Sequence, residues 1–408
     1  MSKDIDYTTS KVAAEGRKST LSMFMIMLGF TFFSASMWTG QNLAKGLDFF
    51  GFCEALLLGG IILGAYTGAL GYIGADSGMT LDMLAQRSFG KKGSWLPSAM
   101  IAFTQIGWFG VGIAMFAIPV ASQLLQLEVS PDAMPWQGYA MVAVAGLLMT
   151  ATAYFGIKSL SLISYIAVPC VAILGTVAMV MAVRQGNQSL VQQFAEGTKD
   201  LGIFAGVGLV IGSFVSGGTA TPNFARFAKN RWTGLWVTVV AFFLGNSLMF
   251  FFGAISSIYV DGNDIFEVML QLDLYYAAIL VLGLNIWTTN DNALYTSGLG
   301  LANIFGLSKR SMVLIAGVVG TLAAVWLYWN FCDWLNILNC LLPPIGIILI
   351  LDYFVGKGEE KKPVNWFAVA GVILGGIVAN VLPWGIASIN GMLVASACYL
   401  LGQKISKD

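Results

Sequence analysis

The chain reads as a succession of long apolar runs separated by short polar stretches, and the runs are continuously apolar instead of alternating. A helical crossing of a bilayer needs about 20 residues. Twelve runs meet that length: 20–45, 52–75, 96–126, 137–156, 160–183, 201–224, 233–259, 274–303, 311–329, 332–355, 365–382 and 385–402. Membrane β-barrels are excluded, because their strands alternate between lipid-facing and lumen-facing residues. The predicted fold class is an all-α polytopic membrane protein with twelve transmembrane helices. Residues 1–19 are polar, with no short apolar stretch and cleavage site behind them. They are expected to form a retained cytoplasmic tail and not a signal peptide.

Composition agrees with this picture. Of 408 residues, 57% are hydrophobic and 10% charged, against roughly 25% charged in soluble domains. Mean hydropathy is +0.77, and such a chain cannot cover a water-facing surface of its size. The formal net charge is zero, which argues against a nucleic-acid partner. Cys53, Cys170, Cys332, Cys340 and Cys398 lie in apolar runs without metal-ligand spacing and read as small apolar residues. The chain has no histidine, so His-ligated metals, His-based triads and His proton relays are excluded. With the N-terminus inside, all 21 Lys and Arg residues except Lys45, Arg184 and Lys199 fall on the inner side. The positive-inside rule therefore puts both termini in the cytoplasm.

Two spans differ from the rest. Span 1 contains SASMWTG at 34–40 and span 6 contains GSFVSGGTATP at 212–222. Glycine and proline weaken a helix, and opened backbone at membrane depth is tolerated only where it lines an enclosed or watery cavity. Small residues also suit close helix packing. Each string, however, stands in the first span of a group of five. Discontinuous helices at equivalent places point to an inverted-repeat transporter with its site at the midplane. The expected organisation is a first five-helix repeat over 20–183, a second over 201–355, and two additional helices over 365–402.

Polar side chains inside spans supply candidate chemistry. Gln105 and Trp108 are three apart on span 3 and share one helix face, as an amide and an indole suited to a flat heterocycle would. Span 8 carries NIWTTNDN at 285–292. Thr288 and Thr289 offer hard oxygen ligands of low total charge, which suit a mobile Na⁺ better than a divalent ion; threonines also bond back to their own helix. Asp291 is an ionisable residue within an apolar span and draws a functional reading, with a paired structural carboxylate as the alternative. Asp333 and Asp352 lie nearer helix ends. No Lys or Arg other than Lys45 sits within a span away from its cytoplasmic end, so the chemistry favours a neutral, planar, hydrogen-bonding solute. No phosphate loop and no nucleophile–base constellation appears.

The strings GFTFFSASMWTG at 29–40, GYIGADSGMT at 71–80, SFGKKGSWLPS at 88–98, QIGWFGVGIAMFAIP at 105–119, FFLGNSLMFFF at 242–252 and LGLNIWTTNDNALYTSGLG at 282–300 resemble the purine–cytosine permease branch of the nucleobase–cation symporter-1 family. The resemblance implies a five-plus-five inverted repeat with discontinuous helices 1 and 6, LeuT-like, in a bacterial cytoplasmic (inner) membrane. It implies uptake of cytosine with Na⁺ as the coupling ion and no other cofactor. Carried over by position, the base stacks between Trp108 and Phe214, Gln105 and Asn285 read its polar edge, and backbone of Phe33, Ser213 and Gly217 completes the contacts. At Gly217 an alanine would also be in keeping. Na⁺ is held by carbonyls of Gly29, Phe32 and Asn285 with the hydroxyls of Thr288 and Thr289. The resemblance leaves Asp291 without a role.

The leading expectation is Na⁺-driven uptake of cytosine by alternating access. Another flat amide or base (a hydantoin, allantoin, uracil) or proton coupling is the alternative. A passive channel fits poorly with a stacked ligand, which must be released by a conformational change. A membrane enzyme lacks its acid–base residues.

Overall fold

The computed structural model describes residues 6–127, 129–130, 133–185, 189–194, 200–260, 262, 264–330, 340–356 and 363–405. Cys332 and Asp333, and the basic residues Lys3, Lys199, Lys357, Lys361, Lys362 and Lys407, lie outside the described residues.

Each of the twelve apolar runs holds a helix. Span 1 is split into span 1a (Thr20–Thr31) and span 1b (Ser34–Gly46). Spans 2 to 5 are Phe49–Ser77, Trp95–Leu125, Trp136–Tyr154 and Ile157–Gln185. Span 6 is Ile203–Thr219 and span 7 Arg231–Val260. Spans 8 to 12 are Tyr275–Phe305, Lys309–Trp329, Pro343–Phe354, Trp366–Val381 and Ala387–Ile405. Polar side chains mark several starts. Ser19, Asp48, Asn230 and Ser308 each accept a first-turn backbone N–H, meeting donors that the helix leaves unpaired. Spans 2 and 8 end at Gly78 and Gly306, whose φ angles of 65° and 69° favour a residue without a side chain.

Spans 2, 3, 5, 7 and 9 are by themselves long and apolar enough to cross a membrane, and the span 1 pair qualifies when taken together. Span 8 has the length, at 31 residues, but its polar string lowers its hydropathy. Spans 6, 10 and 11 are shorter apolar helices. The outer faces carry large exposed apolar residues such as Leu147, Ile166, Val318, Leu322 and Leu393, as a lipid-facing surface requires.

Two bodies make up most of the fold. Spans 3, 4, 8 and 9 pack chiefly on one another, and spans 1b, 2, 6 and 7 do the same. Spans 3 and 8 are buried along most of their length. Spans 1b and 7 meet backbone to backbone. A side chain at Gly253 would run into the Met37 carbonyl, and one at Gly40 into that of Phe250. Spans 11 and 12 pair with each other, and span 10 joins them to the rest.

The discontinuity in span 1 falls just before its small-residue string, whereas that in span 6 falls within the last residues of its string. In span 1 the helix stops at Thr31, Phe32 and Phe33 are extended (ψ 98° and 133°), and the chain bends by 57°. The string SASMWTG is helical and forms the start of span 1b. In span 6 the helix runs unbroken through Phe214 to Thr219, turns at Ala220 and Thr221, and resumes as one short turn at Pro222–Ala225. Buried small residues let neighbouring backbones approach, and that packing outweighs their low helix propensity.

Candidate functional site

The break in span 1 leaves backbone acceptors open. A helix end has four carbonyls without intrahelical partners. That of Leu28 receives Phe32 N–H at 2.9 Å and the Thr31 hydroxyl at 3.0 Å. Those of Gly29, Phe30 and Phe32 instead face span 8, where Thr289 Oγ1 lies 3.5, 3.4 and 3.0 Å from them. The same hydroxyl is 3.5 Å from the carbonyl of Asn285. One hydroxyl proton serves one acceptor at a time, so this cluster holds more lone pairs than protons.

Next to it lies a small cavity lined by Phe30, Phe33, Gln105, Trp108, Ser213, Phe214, Ser216, Gly217 and Thr289. Its walls are aromatic. Phe33 packs edge-on to Trp108, centroids 5.4 Å apart, and Phe214 packs edge-on to Phe30 and Phe242 at 5.2 and 5.4 Å. Trp108 Nε1 donates to Ser216 Oγ at 3.1 Å, which fixes the indole plane. Gln105 is 1% exposed, and its Nε2 has no hydrogen-bond acceptor among the described residues. A buried unpaired amide donor is costly, and this one belongs to a residue on the cavity wall. The space left is about 10 Å³, room for about one water.

The structure thus brings Gln105, Trp108, Phe33, Ser213, Phe214 and Gly217 to one cavity, and adds Phe30, Ser216 and Thr289. Ser216 was legible as the residue three positions from Ser213 on one helix face. Asn285 is not among the lining residues. Its Oδ1 accepts from Ser34 Oγ at 3.0 Å and its Nδ2 points to Met249 Sδ at 3.5 Å, so its side chain ties span 8 to span 1b and span 7. Gly29 and Phe32 are at the carbonyl cluster. Thr288 is beside it, but its hydroxyl donates within its own helix, 3.2 and 3.1 Å from the carbonyls of Leu284 and Asn285. At Gly217 an added Cβ would lie 2.7 Å from the Phe214 ring and 3.0 Å from that of Phe30, so an alanine there is not equivalent.

The remaining polar residues of span 8 fan out around the helix, as successive positions must. Asn290 Nδ2 donates to the Phe109 carbonyl at 3.2 Å. Asp291 Oδ1 accepts from Thr152 Oγ1 at 2.6 Å, and Thr152 in turn accepts from Trp287 Nε1 at 2.8 Å. Asp291 Oδ2 is buried without a partner among the described residues. No group of three or more His, Cys, Asp or Glu side chains able to hold a metal occurs among those residues. Asp352 accepts from Arg87 and Tyr399 near the end of span 10.

A helix opened between two packed bodies, with an aromatic cavity beside the opened backbone, defines a membrane transporter of the broken-helix, LeuT-like class, and not an enzyme. The family of permeases for cytosine/purines, uracil, thiamine and allantoin matches residues 11–365, and the chain belongs to that family. It is 45% identical over 408 residues to the cytosine permease of Escherichia coli strain K12, covering 98% of this chain and 95% of that one. A hydantoin permease of Microbacterium maritypicum is 22% identical over 337 residues, 72% of this chain and 67% of the relative. Among solved structures, Mhp1, a nucleobase-cation-symport-1 family transporter in a closed conformation with bromovinylhydantoin bound, superposes with a TM-score of 0.82. That match is 17% identical and covers 97% of this chain and 94% of Mhp1. A Na⁺-coupled sialic acid symporter gives a TM-score of 0.73 at 13% identity over 99% and 91% of the two chains.

Proposed function

We propose that the protein imports cytosine together with Na⁺ by alternating access, across a bacterial inner membrane with both termini in the cytoplasm. The observation that carries the reading is the unpartnered Gln105 amide in a cavity walled by Trp108, Phe33 and Phe214. A flat base stacks on aromatic faces, and its carbonyl or ring nitrogen accepts from an amide N–H. The cavity is too small for a base as it stands, so entry and release require the two bodies to move apart. That requirement fits a carrier and not a channel. The family and its relatives named cytosine permeases support the choice of base; a hydantoin, allantoin or uracil is the nearest alternative.

For the coupling ion, the crowded carbonyls around Thr289 support Na⁺. The carbonyls of Gly29, Phe32 and Asn285 with the Thr289 hydroxyl form a neutral oxygen set, and a small turn of Thr288 would add its hydroxyl. Such a set suits a monovalent ion that must leave each cycle. The distribution of basic residues supports the orientation. A second reading, proton coupling, has one observation in its favour, the unpartnered Asp291 Oδ2.

The test is uptake of radiolabelled cytosine into cells or vesicles at fixed pH, with choline replacing Na⁺, competed by a panel of bases and hydantoins. Loss of uptake in choline is expected. Uptake indifferent to Na⁺ but driven by a pH gradient would turn the reading to protons, and competition by hydantoins alone would change the substrate.

A further inference from the structure

The segment ahead of span 1 is packed, not loose. It crosses the face where spans 2 and 6 end and spans 5 and 9 begin. Val12 N–H donates to the Gly78 carbonyl at 3.0 Å and Lys18 N–H to that of Phe227 at 2.7 Å. Arg17 Nη1 reaches the carbonyls of Ala75 and Ala228, each at 2.6 Å. At the far end, Asp6 Oδ1 accepts from Ile157 N–H at 3.1 Å, and Asp6 Oδ2 pairs with Lys309 Nζ at 2.7 Å. Arg226 closes the ring. Its Nη2 donates to the Asp6 carbonyl at 2.6 Å and to Tyr295 OH at 2.9 Å, and its Nη1 to the Tyr7 carbonyl at 2.8 Å.

These groups are buried: Arg226 is 0%, Lys309 4% and Asp6 8% exposed. They also belong to different bodies. Arg226 follows span 6, whereas Tyr295 and Lys309 belong to spans 8 and 9. Beneath the ring, Phe224 sits between Phe30 of span 1a and Tyr295 of span 8, centroids 5.1 and 5.9 Å away. The cavity lies between the same two bodies, so it opens toward this face only if they part here.

We propose that residues 6–18 are a latch that holds the N-terminal face shut, locked by Asp6 between Lys309, Ile157 and Arg226, and that the latch releases whenever the cavity opens to that side. The energetics suit a contact made and broken in every cycle. A buried ion pair gains little over its hydrated, separated partners, yet losing one partner alone strands the other charge in a dry site. The closed state therefore depends on Asp6 although the whole ring parts at small net cost. This inference rests on the alternating-access reading above and not on the identity of substrate or ion.

The test places a cysteine at the closed seam. In a chain whose natural cysteines are replaced by serine or alanine, Phe224→Cys is labelled with a maleimide in membrane vesicles without any substrate. Adding Asp6→Ala is expected to raise the labelling rate about tenfold, because an equilibrium that favours the closed state shifts toward the open one. Asp6→Asn keeps an acceptor for Ile157 N–H but loses the charge, and should give a smaller rise. If Asp6→Ala fails to accumulate in membranes, Asp6→Asn and Arg226→Lys carry the test. Rates within twofold of the Phe224→Cys background in every accumulating variant would overturn the latch. Failure of the unmutated protein to take up cytosine would overturn the substrate reading and leave this result standing.

Discussion

The hydroxyl of Thr289 lies 3.0 Å from the carbonyl oxygen of Phe32, the residue at which the first half of span 1 ends. The middle of span 8 is thereby docked onto the opened end of span 1, and the cavity shares Thr289 as one of its walls. In the proposed reading, ion site and base site are adjacent through that residue, which is the geometry thermodynamic coupling needs.

Thr289→Ala is expected to reduce the factor by which Na⁺ raises cytosine affinity about tenfold, within the usual range for coupled sites. Thr289→Ser keeps the oxygen and should keep most of the coupling. Thr288→Ala should cost less, because its hydroxyl already bonds within its own helix. Cytosine affinity measured across a Na⁺ titration, with choline as the replacement, separates the three; equal Na⁺ dependence in all of them would remove Thr289 from the ion site. Coupling is reciprocal, so cytosine must raise Na⁺ affinity by the same factor.

Trp108→Ala and Phe214→Ala should each weaken cytosine binding roughly 5- to 150-fold, the equivalent of about 1–3 kcal/mol for one stacked base. Ser216→Ala frees the indole held by the Trp108–Ser216 hydrogen bond and should have a smaller effect of the same sign. Thermal stabilisation of the purified variants by cytosine measures all three. Wild-type stabilisation in both aromatic variants would sink the stacking arrangement.

Gln105→Ala should weaken cytosine more than an analogue that lacks the bonded edge, since a site built to hydrogen-bond a polar group discriminates steeply. Equal loss for both ligands would mean that Gln105 shapes the cavity without reading the base.

Gly217→Ala should lower cytosine affinity about tenfold while leaving the Na⁺ midpoint near its wild-type value. An added Cβ would lie 2.7 Å from the Phe214 ring, a distance at which the ring has to move, and off-rotamer shifts in packed sites cost about 1–3 kcal/mol. A competition curve unchanged from wild type would show that the ring yields freely.

Asp264 caps the short helix Ile265–Gln271 between spans 7 and 8 and accepts Phe266 N–H at 3.0 Å. Burial, and then the neighbouring Glu267, push its carboxyl up to about 7. A carboxyl raised on folding binds more protons in the folded form, so the helix loses stability as pH rises from the ordinary carboxylate value toward 7. Hydrogen exchange of residues 265–271, corrected for intrinsic rates, should show protection falling between pH 5 and pH 8. Asp264→Asn should flatten that dependence, and an unchanged slope in the variant would assign it elsewhere.

Much of the molecule is determined by sequence alone. Twelve apolar runs of spanning length dictate twelve helices, because a backbone in hydrocarbon has to satisfy its own hydrogen bonds. Gln105 and Trp108 share a face by helical periodicity alone, and both line the cavity. What sequence could not supply was where the helices would open and where each polar side chain would turn. The strings at 34–40 and 212–222 read as breaks, yet 34–40 and 212–219 are helical, and their small residues serve close packing such as that of Gly40 on Phe250. The openings lie at Phe32–Phe33 and Ala220–Thr221. Local propensity differs by up to about 1 kcal/mol per residue, and contacts with neighbouring spans override it. Asn285, whose side chain the family resemblance assigned to the polar edge of the base, is instead claimed by Ser34 and Met249. The N-terminal segment, polar enough to read as a solvated tail, is bound through Asp6, Arg17 and Lys18 to residues distant in sequence. Side-chain chemistry and helical period are local properties and can be read along the chain; which partner satisfies a buried carbonyl, amide or charge depends on what the fold brings within about 3 Å, and only the tertiary structure decides that.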